Sequence, residues 1–173
     1  MNFSQFIEWA YKIKLTKDKF ALVDKDDFER LSKFNWHTSG CSGSSVLFYA
    51  ARSRWDSNSK IKKTILMHRE IINPKEGFVV DHINGNGLDN RRSNLRICSK
   101  AENQRNMKRN VRNTSGYKGV SFFKRDNKWR SSIRINGKEK NLGHYVCKIE
   151  AYAAYLKASK EYFGEFRRSH DFL

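Results

Sequence analysis

The chain has 173 residues with 35 Lys plus Arg against 18 Asp plus Glu, a net charge of +17, and 13% aromatic residues. That length allows one mid-sized domain or two small ones, the aromatic content excludes a disordered polycation, and the charge points to a polyanionic partner. The excess is denser beyond residue 80, where the motifs below fall: residues 1–80 carry 14 basic and 9 acidic side chains, residues 81–116 carry 8 and 3, and residues 117–173 carry 13 and 6.

In chain order, Lys12–Leu15 and Phe20–Val23 are strand-like, split by a Lys-Asp-Lys turn. Asp24 is placed as the N-cap of a short helix that buries Phe28 and Leu31. Trp36–Thr38 and Val46–Arg52 flank a hairpin with its tip at residues 40–45, and Ile65–Met67 is a further strand; His37 reads as a surface histidine. Phe78–Ile83 is a strand ending in Asp81-His82, and the Asn84-Gly-Asn-Gly87 cluster allows a tight reversal. Leu95–Cys98 is the next strand, and Ser99-Lys-Ala-Glu102 matches a capping box that opens a helix from Lys100 to about Lys108. Residues 109–116 are polar and aperiodic, hence a linker. Tyr117–Phe123, Lys128–Ile135 and Lys138–Tyr145 are three strands joined by turns at Asp126-Asn127 and Asn136-Gly137. An amphipathic helix carrying Ile149, Tyr152, Ala153, Leu156 and Phe163 ends near Gly164.

Strand, turn, strand, helix over residues 78–108 is a ββα unit, and Asp81, His82, Asn94 and Asn103 are its chemistry-bearing residues. A phosphodiester resists hydrolysis because an oxyanion must be attacked and an alkoxide expelled; one hard cation on oxygen ligands neutralises both while a neutral imidazole takes the proton of water. Asp81 and Asn103 are the candidate oxygen donors for Mg²⁺ or Mn²⁺, His82 the candidate general base, and Asn94 the candidate orienting partner of the imidazole. Adjacent strand residues point to opposite faces, so Asp81 and His82 converge only where the strand bends or ends.

Met67-His-Arg-Glu70, Val80-Asp-His-Ile-Asn-Gly-Asn86, Asn90-Arg-Arg-Ser-Asn-Leu-Arg96 and Ala101-Glu-Asn-Gln-Arg105 resemble the His-Asn-His (ββα-metal) endonucleases of phages and mobile introns. The resemblance implies the same roles for Asp81, His82, Asn94 and Asn103. It departs in two places: the final histidine of the pattern is Asn103, and Met107 cannot serve as an extra ligand. The implied metal is therefore held by few protein ligands. His68 fits the pattern and stays outside the catalytic set. The family's paired cysteines for a structural zinc are missing, so none is expected.

On Lys128–Ile135, Trp129, Ser131, Ile133 and Ile135 share one face and are placed against the helix; Arg130, Ser132 and Arg134 share the other. With Lys118, Ser121, Phe123, Arg125, Lys138 and Lys140, that second face is read as a DNA-binding surface with almost no acid. Ser115-Gly-Tyr-Lys-Gly-Val120, Lys128-Trp-Arg130, Leu142-Gly-His-Tyr145 and Ala151-Tyr-Ala-Ala-Tyr155 resemble the APETALA / ethylene-response-factor domain of plants, a module also found fused to His-Asn-His nucleases. The resemblance implies a three-stranded sheet in the major groove; Ser121 and Asn141 replace typical plant residues, so the target sequence does not carry over.

The expected fold class is α+β: N-terminal antiparallel strands, a ββα-metal unit, then a three-stranded antiparallel sheet on one helix. The expected domains are a nuclease at 1–108, a linker at 109–116 and a DNA-binding domain at 117–173. The expected function is a homing-type, nicking DNA endonuclease acting as a monomer on duplex DNA; the alternatives are a regulator with an inactive nuclease fold and an RNA-directed nuclease. No basic region followed by an apolar stretch opens the chain and the longest apolar run is Val46–Ala51, so neither a secretory signal nor a membrane span is expected. Cys41, Cys98 and Cys147 lie far apart and are expected as reduced, mostly buried thiols in the cytoplasm of a bacterial or phage-infected cell.

Overall fold

The computed structural model describes residues 10–40, 47–107, 110 and 112–168. It has the expected α+β character and divides into two compact units, Met1–Lys100 and Ala101–Leu173.

In the first unit, β1 (Tyr11–Lys14) and β2 (Phe20–Val23) pair antiparallel and lead into α1 (Lys25–Leu31). A second antiparallel sheet has the order β3 (His37–Gly40), β4 (Phe48–Asp56), β5 (Ile61–Leu66). The short α2 (Met67–Ile72) follows, and β6 (Val79–His82) pairs with β7 (Leu95–Cys98). The core joins one residue set from each piece, including Ile13, Val23, Leu31, Trp36, Ala50, Met67, Ile71, Val80 and Leu95. Burial of such side chains stabilises by about 1.5–3 kcal/mol each.

Two expectations are corrected in this unit. Met67 opens α2 instead of closing a strand, because Met67 and Ile71, four residues apart, share the helix face that enters the core. Asp24 stands at the N-cap of α1 but its carboxylate does not cap the helix; its Oδ2 accepts from the Arg92 backbone N–H at 2.7 Å. Asp27, 2% exposed, accepts from the Arg92 guanidinium at 2.8 and 3.0 Å and from Arg30 at 2.9 Å. Helix α1 thereby anchors the one-turn 3₁₀ segment Arg92–Asn94 that leads into β7.

In the second unit, α3 (Lys100–Asn106) precedes a sheet of β8 (Val120–Phe123), β9 (Lys128–Ile135) and β10 (Lys138–Tyr145), packed on α4 (Lys148–Phe163). The division at Lys100 groups α3 with this sheet, earlier than the expected boundary at 108. The reason lies at its C-terminal end: Lys118 Nζ donates to the carbonyls of Arg105 and Met107 at 2.8 and 2.6 Å, and Arg168 donates to that of Asn106 at 3.0 Å. These bonds satisfy carbonyls that a helix end leaves open. Residues 113–117, expected within or beside a linker, form a hydrogen-bonded turn in which the buried Ser115 Oγ donates to Val120 O at 2.8 Å.

The faces of β9 are as expected: Ser131 and Ile133 are buried in a core with Val120, Ala151, Tyr152, Tyr155 and Phe163, and Trp129 and Ile135 pack against it. Cys98 is buried, whereas Cys147 is exposed at the N-cap of α4, its sulfur accepting from Ile149 N–H; Cys41 and the hairpin tip lie outside the described residues. No helix among the described residues is long and apolar enough to cross a membrane.

Candidate functional site

Asp81 and His82 close β6 and are each 5% exposed, an unusual degree of burial for two polar side chains in sequence. Pairing stays regular to the strand end, Asp81 opposite Arg96 and His82 opposite Leu95. Asp81 Oδ2 accepts from Arg96 Nε at 2.9 Å and Nη2 at 2.7 Å, and the Arg96 side chain is only 12% exposed. Each charge offsets the cost of taking the other out of water.

The imidazole of His82 enters a pocket walled by Tyr49, with centroids 5.8 Å apart, and by His68, edge-on at 4.9 Å. Its Nε2 lies 3.3 Å from Asn90 Oδ1. An amide oxygen only accepts, so this contact assigns the ring proton to Nε2 and leaves Nδ1 as the basic nitrogen. Burial pushes the His82 pKa below its ordinary value and outweighs the opposing pull of the Asn90 bond and of the Asp81 and Asp89 charges. The ring is therefore neutral at pH 7, the form that takes up a proton.

Asn94 does not orient that ring, contrary to expectation. Its Nδ2 donates to Asp89 O at 2.7 Å, and its Oδ1 accepts from Asn84 N–H at 3.0 Å. The 3₁₀ turn aims the side chain into the loop after β6, which it braces. The same loop is stitched by Asn84 Nδ2 to Asp89 Oδ2 at 2.9 Å and docked on β2 through Leu22 N–H to Leu88 O and Asn90 N–H to Leu22 O, both 2.8 Å. Burial alone would raise the Asp89 carboxyl, but its ion pair with Arg91 and the Asn84 bond hold it below its ordinary range. Gly87 allows the close approach of this loop to β4, since a Cβ there would meet Phe48 O at 2.4 Å. Docking carries Asn90, fully buried, to the imidazole. Asn90 and Arg96 are the partners of His82 and Asp81 that sequence reading missed, although both stand in the Asn90–Arg96 segment; strand alternation across a β6–β7 hairpin was the available signal for Arg96.

His68, 6% exposed on α2, has a pKa lowered to about 3, first by burial and then by the charges of His82 and Arg69, and its Nδ1 is buried without a hydrogen-bond partner. Its folded pKa lies below the unfolded value of about 6.5, so the unfolded chain binds the proton first. Stability is therefore full above that value and declines as pH falls from about 6.5 toward about 3, by at most about 1.4 kcal/mol per pH unit. In urea melts, the His68→Asn variant is expected to show a shallower loss of midpoint between neutral and acidic pH than the wild type. The slope is the readout, so a packing cost does not obscure it. Equal slopes would mean that His68 ionises within the fold.

Asn103 is half-buried on α3, in the second unit. There Ser121 faces the same side as Arg130, and Phe123 the same side as Lys128. Arg125, at the β8–β9 turn, stacks over Phe123 at 5.3 Å, and Arg134 is exposed on β9. Three expectations change. Lys138 and Lys140 pair with Ile135 and Ile133 and so belong to the α4 side; Lys140 Nζ donates to Tyr162 OH at 2.6 Å. Lys118 is engaged with the end of α3. The free face also carries an acid: Glu139, opposite Arg134, forms an ion pair with Arg130.

Residues 73–105 match the family model described as HNH endonuclease. Protein 3.8 of Escherichia phage T7 is 37% identical over 93 residues, which are 54% of this chain and 76% of that protein. A protein of Acanthamoeba polyphaga mimivirus, named as an uncharacterized HNH endonuclease, is 29% identical over 150 residues, 87% of this chain and 74% of that one. No solved structure matches the chain.

Proposed function

We propose that this chain, which carries an HNH endonuclease domain over residues 73–105 and is similar to a viral protein named as an HNH endonuclease, is a metal-dependent, homing-type enzyme that hydrolyses one phosphodiester of duplex DNA per binding event. The observation that carries this reading is the buried, neutral imidazole of His82, with its Nε2 proton directed at Asn90. His82 Nδ1 takes a proton from the attacking water; Asn90 holds the tautomer, and the braced loop holds Asn90.

In this reading the Asp81 carboxylate and the Asn103 amide are the oxygen donors, a donor chemistry that suits a hard cation such as Mg²⁺ or Mn²⁺ better than a soft one. Such an ion, when bound, supplies charge neutralisation at the phosphate. Arg96 orients the Asp81 carboxylate in readiness. In this reading the second unit is a DNA-binding module whose free face presents Ser121, Phe123, Arg125, Arg130 and Arg134, and the enzyme works as a monomer in the cytoplasm of a bacterial or phage-infected cell. The single Asp-His pair at residues 81–82 supports nicking, since one site attacks one strand at a time.

Supercoiled plasmid carrying the target, incubated with the protein and Mg²⁺, is expected to give nicked circles before linear DNA, and chelation of the metal to stop both. Binding without cleavage under Mg²⁺ and Mn²⁺ would favour a regulator instead. Cleavage of structured RNA in preference to the plasmid would favour an RNA-directed enzyme.

A further inference from the structure

The outer half of the β4–β5 hairpin has no work in the fold. Ser53, Arg54 and Trp55 on one strand and Ile61 to Thr64 on the other are all exposed. Trp55 is 60% and Ile61 58% exposed, although the same strands are buried at their inner ends, where Ala50 and Ala51 enter the core. A two-stranded ribbon without a covered face gains little from burial, so large apolar side chains there are not explained by stability.

Charge gives the ribbon a partner. Its one acid, Asp56, is already neutralised: it pairs with Lys63 and caps the turn, accepting from Asn58 N–H at 3.1 Å. The Lys63 bond foremost lowers the Asp56 carboxyl to about 2. Among the described residues, Arg54, Lys60 and Lys62 have no acidic partner. Register places Trp55 opposite Lys62 and Arg54 opposite Lys63, so cations lie on both faces of the ribbon.

We propose that the β4–β5 ribbon is a second DNA-binding element, which enters a groove of the duplex with Trp55 against sugars and base edges, Lys62 beside it on a phosphate, and Arg54, on the other face of the ribbon, on a phosphate of the groove wall. A two-stranded ribbon has the width that the major groove admits. The element is rooted at the site, because β4 also carries Tyr49 beside His68 and His82. Trp55 lies six positions along β4 from Tyr49, about 20 Å of strand, so the ribbon contacts DNA within about six base pairs of the cut. This rests on the reading that the substrate is duplex DNA, not on the assignment of the catalytic residues.

The test is anisotropy titration of full-length protein with a labelled random-sequence duplex over a range of salt. For the double variant Arg54→Ala, Lys62→Ala, the slope of log affinity against log salt is expected to fall by about 1.8, from two lost phosphate contacts at about 0.9 each. Trp55→Ala is expected to weaken binding roughly tenfold with its slope unchanged, as for loss of an uncharged contact. Lys25→Ala, on exposed α1 surface, controls for net charge, and near-ultraviolet circular dichroism checks that each variant folds. Wild-type affinity and slope in both ribbon variants overturn the proposal, as do equal slope changes per charge in the Lys25 control. Losses confined to a labelled structured RNA overturn it too. Normal plasmid nicking beside unchanged binding sinks this proposal alone, whereas weakened variants of a protein that binds but never cuts sink only the nuclease reading.

Discussion

Replacement of His82 by Ala is expected to slow DNA cleavage by about 10²–10⁴-fold while leaving duplex affinity within a factor of about two. As the proposed general base His82 would act in the chemical step, and its ring is buried, so it adds little to ground-state binding. Asn90→Ala is expected to cost about 10–100-fold, because the imidazole loses the acceptor that selects its tautomer. The double variant is expected to be no slower than His82→Ala alone, since the two residues act as one unit. Single-turnover cleavage at saturating protein measures all three, and His82→Asn guards against collapse of the pocket around His68. Parallel losses of affinity and rate would assign His82 to the fold instead of the chemistry. Additive losses in the double variant would separate Asn90 from the imidazole.

Gly119→Ala is expected to unfold the second unit while the first stays folded. Gly119 has φ +74°, and an added Cβ would lie 2.0 Å from Tyr155 Cδ2 and 2.8 Å from Ser132 O. Left-handed backbone costs a residue with a Cβ about 1–2 kcal/mol, and overpacking adds about 1–3 kcal/mol. Tyr155 is buried in the core between the sheet and α4, so it has little room to yield. A unit of this size has only a few kcal/mol in reserve. Gly116→Ala is the matched control: φ is +85° but no atom lies within 4 Å of the new Cβ, so only the backbone cost applies. Calorimetry should show one of two transitions lost for Gly119→Ala and lowered slightly for Gly116→Ala, with duplex affinity falling in step. A melt identical to the wild type would mean that Tyr155 repacks freely.

Local pattern alone determined most elements of this protein. β2, β7, β9 and β10 occupy the residues that alternation predicts, and the turns at Asn127, Asn136 and Gly137 have the positive φ that those residue types tolerate. α4 stops where Gly164 offers its freedom. The Asp81-His82 pair at a strand end was equally legible, as was the burial of Ser131 and Ile133. Even the side taken by Lys138 and Lys140 was within reach, since a two-residue turn sets Ile135 against Lys138. α2 was missed because six residues hold barely one periodic pair, and its helix depends on the core that receives Met67 and Ile71.

The site's inner arrangement was a matter for tertiary structure. Asn90, Asn94 and Asn84 are chemically alike, and nothing in their spacing says which amide meets the imidazole. That choice follows from docking the loop on β2 and beneath β4, contacts with residues more than sixty and about forty positions away in the chain. Burial then sets the charge state of His82 and His68, because desolvation depends on everything packed around a ring and not on its neighbours in sequence. The sequence by itself determined which residue types were present for nucleic-acid chemistry and on which strands they stand. Only the fold decided which of them touch, because side-chain periodicity is a local property of the backbone and contact across a loop is not.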